Sequence, residues 1–165
     1  MNAIDMLTKQ HRELETSLDA ALDAKMRPSE RRRLFEQLAD VLMSHVLVEE
    51  KHFYPAVKAK RTEDILLESL EEHLSLKRLV ADLLVLPADD ETFEPKLHVL
   101  KEQAEHHHDE EEEKLFPKVK KLLSREELES LGTVMGLTQA KLLKQQPLLA
   151  RLQADAQTDA AAPLY

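Results

Sequence analysis

Cysteine is absent from this chain of 165 residues. Its absence excludes a disulfide framework, a thiolate zinc finger, an iron–sulfur cluster and a thiol nucleophile together. Any metal must therefore be held by nitrogen and oxygen. Tryptophan is missing too, and there are only 2 glycines, too little material for the tight turns and bulges of a β-protein. Basic residues are in deficit, 23 Lys and Arg against 32 Asp and Glu, for a formal net charge of −9. That balance excludes a nucleic-acid partner, since phosphate contacts need clustered Lys and Arg. The one dense basic run, Arg31, Arg32 and Arg33, falls in the first turn of an expected helix and reads as a solvated face. No apolar run approaches a membrane span, and the opening Met-Asn-Ala-Ile-Asp has no basic segment leading into an apolar stretch. The expectation is a soluble, cytoplasmic protein with no membrane partner.

What is present is the vocabulary of helices: Leu, Glu, Lys, Ala and Arg dominate. A first helix is expected from the cap Asn2 to about Met26, with the inward stripe Ile4, Leu7, His11, Leu14, Leu18. Ser29 is expected to cap a second helix that carries Leu38, Leu42, His45, Val48 and Glu49 towards Lys60. Thr62 opens a third, with Leu66, Leu70, His73, Leu76 and Val80, stopped by Pro87. Thr92 opens a fourth through Leu97, Leu100, Ala104, His107, Glu111 and Leu115 to about Leu123. Ser124 and Glu127 form a capping box for a fifth helix ending before Pro147. Pro55 and Pro117 should kink or thin the second and fourth helices. The expected fold is all-α: an antiparallel up-down-up-down four-helix bundle over about residues 3–123, with an extra C-terminal helix over about 125–146. These make one domain over 1–152, followed by a frayed tail over 153–165.

The chain repeats itself. An offset of 62 residues brings His11 onto His73, His45 onto His107, Glu49 onto Glu111, Glu50 onto Glu112 and Pro55 onto Pro117. Two His/His coincidences at one offset compare with roughly a quarter of one expected by chance, so internal duplication is the simple reading. Depth in the bundle is set by the turns. Pro28 lies 17 residues from both His11 and His45, and Asp90 lies 17 from both His73 and His107. Arg61, at the middle turn, lies 12 from both Glu49 and His73. With about 1.5 Å of rise per residue these groups meet at one level. His45 and Glu49 are i and i+4 on one face, as are His107 and Glu111. Four imidazoles and two carboxylates converge where no inward Lys or Arg neutralises them, and buried carboxylates need cations. Metal ions supply them. Two imidazoles per ion with Glu49 and Glu111 bridging suit iron or manganese, with zinc as the further alternative.

Taken together, His11, His45-x-x-x-Glu49, His73 and His107-x-x-x-Glu111, with the runs Glu49-Glu50-Lys51-His52-Phe53-Tyr54-Pro55 and Glu111-Glu112-Glu113-Lys114-Leu115-Phe116-Pro117, resemble the haemerythrin-like (HHE cation-binding) family over about residues 3–123. The resemblance implies a four-helix bundle with two Fe ions, carboxylate-bridged and oxo- or hydroxo-bridged. It also implies binding or sensing of O2, NO or iron, or responses to peroxide. The sequence departs from the oxygen-carrying branch at Lys77, where those proteins have a further histidine, and the last carboxylate is Glu111 at i+4. The two metals are accordingly expected to be more alike and more open than in the carriers, which argues against reversible oxygen transport. Glu15, the repeat partner of Lys77, is a candidate extra ligand.

Glu49/His52 and Glu105/His108 also form Glu-x-x-His pairs of the ferritin-like kind, but their offset of 56 rather than 62 residues breaks the register. His106 and His108 point to either side of His107 and read first as solvated, with help in metal loading, or one of them supporting the ligands, as the alternatives; His52 and His98 read as surface residues. Glu50 and Glu112 read as outward or supporting carboxylates, and Phe53 and Tyr54 as packing. Two functions remain open: a di-iron protein that binds or senses a small diatomic ligand or iron, and a di-iron oxidoreductase acting on peroxide, O2 or nitrogen oxides with a redox partner. A helical module using metal only for stability fits less well, because structural sites are normally saturated.

Overall fold

The structure, a computed structural model, describes residues 1–145 and 160–165. Its rods are α1 (Ala3–Ala21), α2 (Pro28–Val48), α3 (Glu63–Val85), α4 (Phe93–Glu110) and α5 (Arg125–Lys144), with no strand among the described residues. The first four run up-down-up-down, joined by short turns, and α5 lies along α1 and α2. Asn2 caps α1 by accepting from the Asp5 amide at 2.9 Å. Ser124 and Glu127 form the expected capping box of α5.

The basic run is not a solvated face. Arg31 is buried, and its guanidinium donates to the carbonyls of Ala21 (2.9 Å) and Asp23 (3.0 Å). These bonds close α1 at Ala21, earlier than Met26, because they draw off the carbonyls a longer helix would use. Arg32 does the same for α3, donating to the carbonyls of Leu83, Leu84 and Leu86. Only Arg33 is exposed. Pro28, not Ser29, opens α2, in the first-turn position that suits a residue without an N–H.

Pro55 and Pro117 act more specifically than as kinks. α2 continues through a π-helical turn, Glu49–Phe53, into the α-turn Tyr54–Val57; α4 continues through Glu111–Leu115 into Phe116–Leu122. Proline brings no N–H for the carbonyl four residues back. The amides of Tyr54 and Phe116 reach back five residues instead, to the carbonyls of Glu49 and Glu111. Each π turn thus begins on a conspicuous glutamate and inserts one extra residue, which re-aims the side chains beyond it. The second rod ends at Val57 rather than near Lys60, because the Thr62 hydroxyl donates to the Val57 carbonyl at 2.8 Å and closes the turn.

The apolar interior is in two parts. One, near the α1–α2 and α3–α4 turns, is built on Leu14, Leu18, Phe35, Leu42, Leu76 and Leu100. The other, towards the opposite end, is built on Leu7, Val48, Phe53, Leu66, Leu70 and Leu115 and includes Leu128, Met135 and Leu142 of α5. Along every rod of the four the boundary falls at the histidine: Leu7/His11/Leu14, Leu42/His45/Val48, Leu70/His73/Leu76 and Ala104/His107/Leu115. Of the stretch read as a frayed tail, residues 153–159 lie outside the described residues, while Ala161, Ala162 and Leu164 rest half-buried against the second part.

Gly132 sets how closely α5 approaches. A Cβ there would run into the Met1 carbonyl oxygen and lie 2.8 Å from the Ala3 nitrogen, both backbone atoms that cannot swing away. Gly132→Ala should push α5 off the start of α1 and destabilise the chain by about 1–3 kcal/mol. Thermal melting against Gly136→Ala checks this, since Gly136 faces open space.

Candidate metal centre

Four rods deliver six polar side chains to the boundary between the two apolar halves. His11, Glu49, His73 and Glu111 are fully buried, and His45 and His107 are 1% exposed. Their donor atoms fall into two groups: His11, His45, Glu49 and Glu111 in one, and Glu49, His73, His107 and Glu111 in the other, all mutually within 4.8 Å. Both carboxylates belong to both groups. Glu49 shows how: Oε1 touches His45 Nε2, while Oε2 faces His73 Nε2 at 3.8 Å. Glu111 Oε1 lies 2.6 Å from His107 Nε2.

The outer side of each imidazole is held by a hydrogen bond. His11 Nδ1 meets Glu112 Oε1 at 2.8 Å and His73 Nδ1 meets Glu50 Oε1 at 3.2 Å. His45 Nδ1 meets Gln10 Oε1 at 2.7 Å and His107 Nδ1 meets Glu72 Oε1 at 2.9 Å. These partners obey the repeat: Glu50 corresponds to Glu112 and Gln10 to Glu72 at the same offset of 62. An acceptor on Nδ1 fixes the proton there and turns the Nε2 lone pair inward, which is how metal-binding histidines are oriented. The acceptors are anchored in turn. Arg12 pairs with Glu112, and Lys77 Nζ reaches Glu50 at 2.8 Å. Gln10 Nε2 donates to Gln139 Oε1 of α5 at 2.7 Å, and Gln139 Nε2 donates to Ser44 Oγ at 3.3 Å. The fifth helix thereby sets which end of the Gln10 amide His45 meets.

The inward atoms have no such partners. Both oxygens of Glu49 and of Glu111, and Nε2 of His11 and His45, are buried without a hydrogen bond. His73 Nε2 and His107 Nε2 face each other at 3.0 Å. Lone pairs turned on lone pairs, beside two carboxylates in a dry interior, are costly unless cations lie between them. The residues present fit a pair of metal ions.

Lys77 points away from the centre to Glu50 and supplies no ligand. Glu15 does not reach the centre; it pairs with Arg12 at the surface. Of the flanking histidines, His106 is exposed, whereas His108 is 1% exposed and stacked on His11, contrary to the solvated reading. His52 is half-buried, bonded to Thr138 Oγ1 at 2.8 Å, and Glu105 sits with Lys101, so the Glu-x-x-His pairs do not assemble. Tyr54 does more than pack. Its hydroxyl lies 3.1 Å from His73 Nε2 and 3.4 Å from His107 Nε2, a phenol oxygen at the second group.

Burial governs the protonation of the metal-free cluster. Desolvation pushes His11 down to about 2, and His45 nearby acts in the same sense. Burial, then the charges on His11 and His45, also keeps His108 well below the ordinary histidine value. Burial and the charge on Glu49 raise Glu111 well above the carboxylate range. His107 goes the other way for a buried histidine: burial lowers it, but Glu111, Glu72 and Glu49 raise it well above its usual value. The pair of Glu111 and His107 thus holds protons more firmly than free groups of their kind, and a metal ion must displace them. Loading the metal-free protein should release protons. The release should shrink, and affinity rise, as pH increases towards the raised values. Calorimetric titration in buffers of different ionisation enthalpy measures both; release that is zero or grows with pH contradicts the assignment.

A family model described as Hemerythrin HHE cation binding domain matches residues 2–119. No curated protein matches the chain. Among solved structures, a Hemerythrin HHE cation binding domain-containing protein from Mycobacterium kansasii is similar, with a TM-score of 0.80 at 24% identity over 94% of this chain and 99% of that one. That likeness is one of fold.

Proposed function

Since the chain belongs to the hemerythrin HHE cation-binding domain family, we propose that its metals are two iron ions and that it binds or senses a small oxidant, O2, NO or peroxide, there. The observation that carries this reading is the pair of buried donor groups sharing Glu49 and Glu111. Imidazole with carboxylate is a donor set that suits iron, and Glu49 and Glu111, common to both groups, would hold the ions as a unit. When bound, the pair supplies a Lewis-acidic, redox-active centre for a diatomic ligand or peroxide. The chain's own part is to orient the four imidazoles through their Nδ1 acceptors and to exclude water with an apolar half on either side.

A second reading, a di-iron oxidoreductase that turns over peroxide, O2 or a nitrogen oxide, is favoured by Tyr54. Burial first, then Glu111 and Glu49, raise its phenol well above the ordinary value. A proton is thus held at Oη beside His73 and His107. An enzyme needs such a group next to the reacting ligand, and a carrier does not.

Elemental analysis of the protein as isolated tests the metal: two irons per chain are expected, and a protein that binds no iron refutes the proposal. Stopped-flow mixing of the reduced protein with NO and with hydrogen peroxide separates the readings. A stable adduct supports binding or sensing. Repeated turnover that Tyr54→Phe abolishes supports the enzyme. Among the described residues no helix is long and apolar enough to cross a membrane.

A further inference from the structure

We propose that the fifth helix makes the two metal positions unequal, so that the one formed by His73 and His107 takes its ion first and holds it more tightly. This inference rests on the metal-binding reading above. Its cause lies outside the six inward side chains, in the groups that hold Nδ1 of His45 and of His107. Gln10 and Glu72 are equivalent in the repeat, yet one is a neutral amide and the other a carboxylate. An imidazole whose N–H rests on a carboxylate is a stronger donor to a metal than one resting on an amide. The other two histidines do not distinguish the positions. His11 rests on Glu112 and His73 on Glu50, and each of these carboxylates is paired with a cation, Arg12 and Lys77.

The reason for the difference is α5, which lies along the first hairpin, α1 and α2. The Ser44 hydroxyl donates to the Val41 carbonyl at 2.8 Å, so its oxygen is left to accept from Gln139 Nε2 at 3.3 Å. Gln139 Oε1 is thereby turned to Gln10 Nε2 at 2.7 Å, and Gln10 Oε1 to His45 Nδ1 at 2.7 Å. The chain of bonds runs in one direction from Ser44 to His45, and every link is neutral. Gln10 is 7% exposed beneath α5, a place where an ionised carboxylate is costly and an amide is not. In the second hairpin the equivalent of Ser44 is His106, which is exposed. Glu72 there lines an open cleft with Ser75, Gln103 and His106, and its side chain is 21% exposed. Water lets it stay ionised while Oε1 accepts from His107 Nδ1 at 2.9 Å. Gln139 is accordingly a positioning residue for one metal position, acting through Gln10, and Glu72 performs the same office for the other by charge. The two positions then differ in affinity, where the sequence led to the expectation that they are alike.

The test adds Co(II), as the only metal, to the metal-free full chain. Each imidazole bound to paramagnetic Co(II) gives one strongly shifted, exchangeable N–H proton signal. At one Co(II) per chain two such signals are expected, from His73 and His107. Glu72→Gln should weaken that position about tenfold. The first Co(II) then binds several-fold more weakly, and a second pair of signals, from His11 and His45, appears beside the first. Gln139→Met should weaken the second Co(II) alone. Four signals of similar size in the unaltered protein at one equivalent overturn this proposal, and so does a first binding constant that Glu72→Gln leaves unchanged or that Gln139→Met lowers. A chain that takes up neither Co(II) nor iron overturns it together with the functional reading. Should either variant fail to fold, the signal count of the unaltered protein at one equivalent still decides.

Discussion

Glu111→Leu should strip the protein of at least one metal ion and yet make the metal-free chain more stable. Both effects have one origin. The Glu111 carboxylate is fully buried, neither oxygen has a hydrogen bond, and burial together with Glu49 keeps its folded pKa well above normal. With cations in place it would serve as a ligand common to both donor groups. Without them it is a stranded polar group, and removing such a group recovers about 1–3 kcal/mol. For a chain of this size that is about 2–4 °C of melting temperature per kcal/mol. The direction with pH has the same source. In the unfolded chain this carboxyl ionises at its ordinary value, while in the fold it holds its proton to higher pH. Native stability is therefore lost as pH rises through that window. The advantage of Glu111→Leu over the metal-free parent should accordingly grow from acid to neutral pH. Parallel melts of the two metal-free proteins, with metal counted separately, give the result. A variant that keeps two tightly bound ions, or that melts below the metal-free parent at neutral pH, contradicts the role given to Glu111.

Removing metal from the unaltered protein should have the larger effect. The ions bind only where the fold assembles donors from α1, α2, α3 and α4, so binding energy is folding energy. At free metal about a thousand times the dissociation constant, each site adds about 4 kcal/mol. Two such sites correspond to a fall of roughly 16–32 °C on chelation at about 2–4 °C per kcal/mol. Helix content should survive, because both apolar halves and the turn closures by Arg31, Arg32 and Thr62 do not depend on metal. Far-UV circular dichroism before and after chelation, monitored through melting, reports both quantities. A melting temperature indifferent to chelation would mean that the inward side chains are not holding ions.

The inward direction of the six donors was legible because two periodicities agreed. Each histidine replaced an apolar residue in a stripe of period 3.6, and the distances from Pro28, Arg61 and Asp90 fixed a common depth. The duplication made the same statement twice. His108 was not legible. It adjoins His107 in a run of charged residues, where nothing in a linear pattern marks it as inward. Tyr54 was hidden by the π turn. A straight α-helix continuing from His45 and Glu49 would carry Phe53 inward, and only the extra residue before Pro55 turns Tyr54 to His73 as well. The Nδ1 acceptors did leave a usable signal, since Gln10/Glu72 and Glu50/Glu112 coincide at the repeat offset just as the ligands do.

By itself the sequence determined the all-α class, the five helices, the duplication and the level at which four histidines and two glutamates meet. Helical rise and turn position are local properties, and depth in an antiparallel bundle is only their sum. The tertiary structure alone decided what surrounds that level: which carboxylate or amide holds each Nδ1, that α5 reaches His45 through Gln139 and Gln10, and that the His108 ring and the Tyr54 hydroxyl lie against the inward histidines. Those are contacts between rods distant in sequence, fixed by rotation about the helix axes and by close packing between rods, and neither quantity is written in the spacing along one chain.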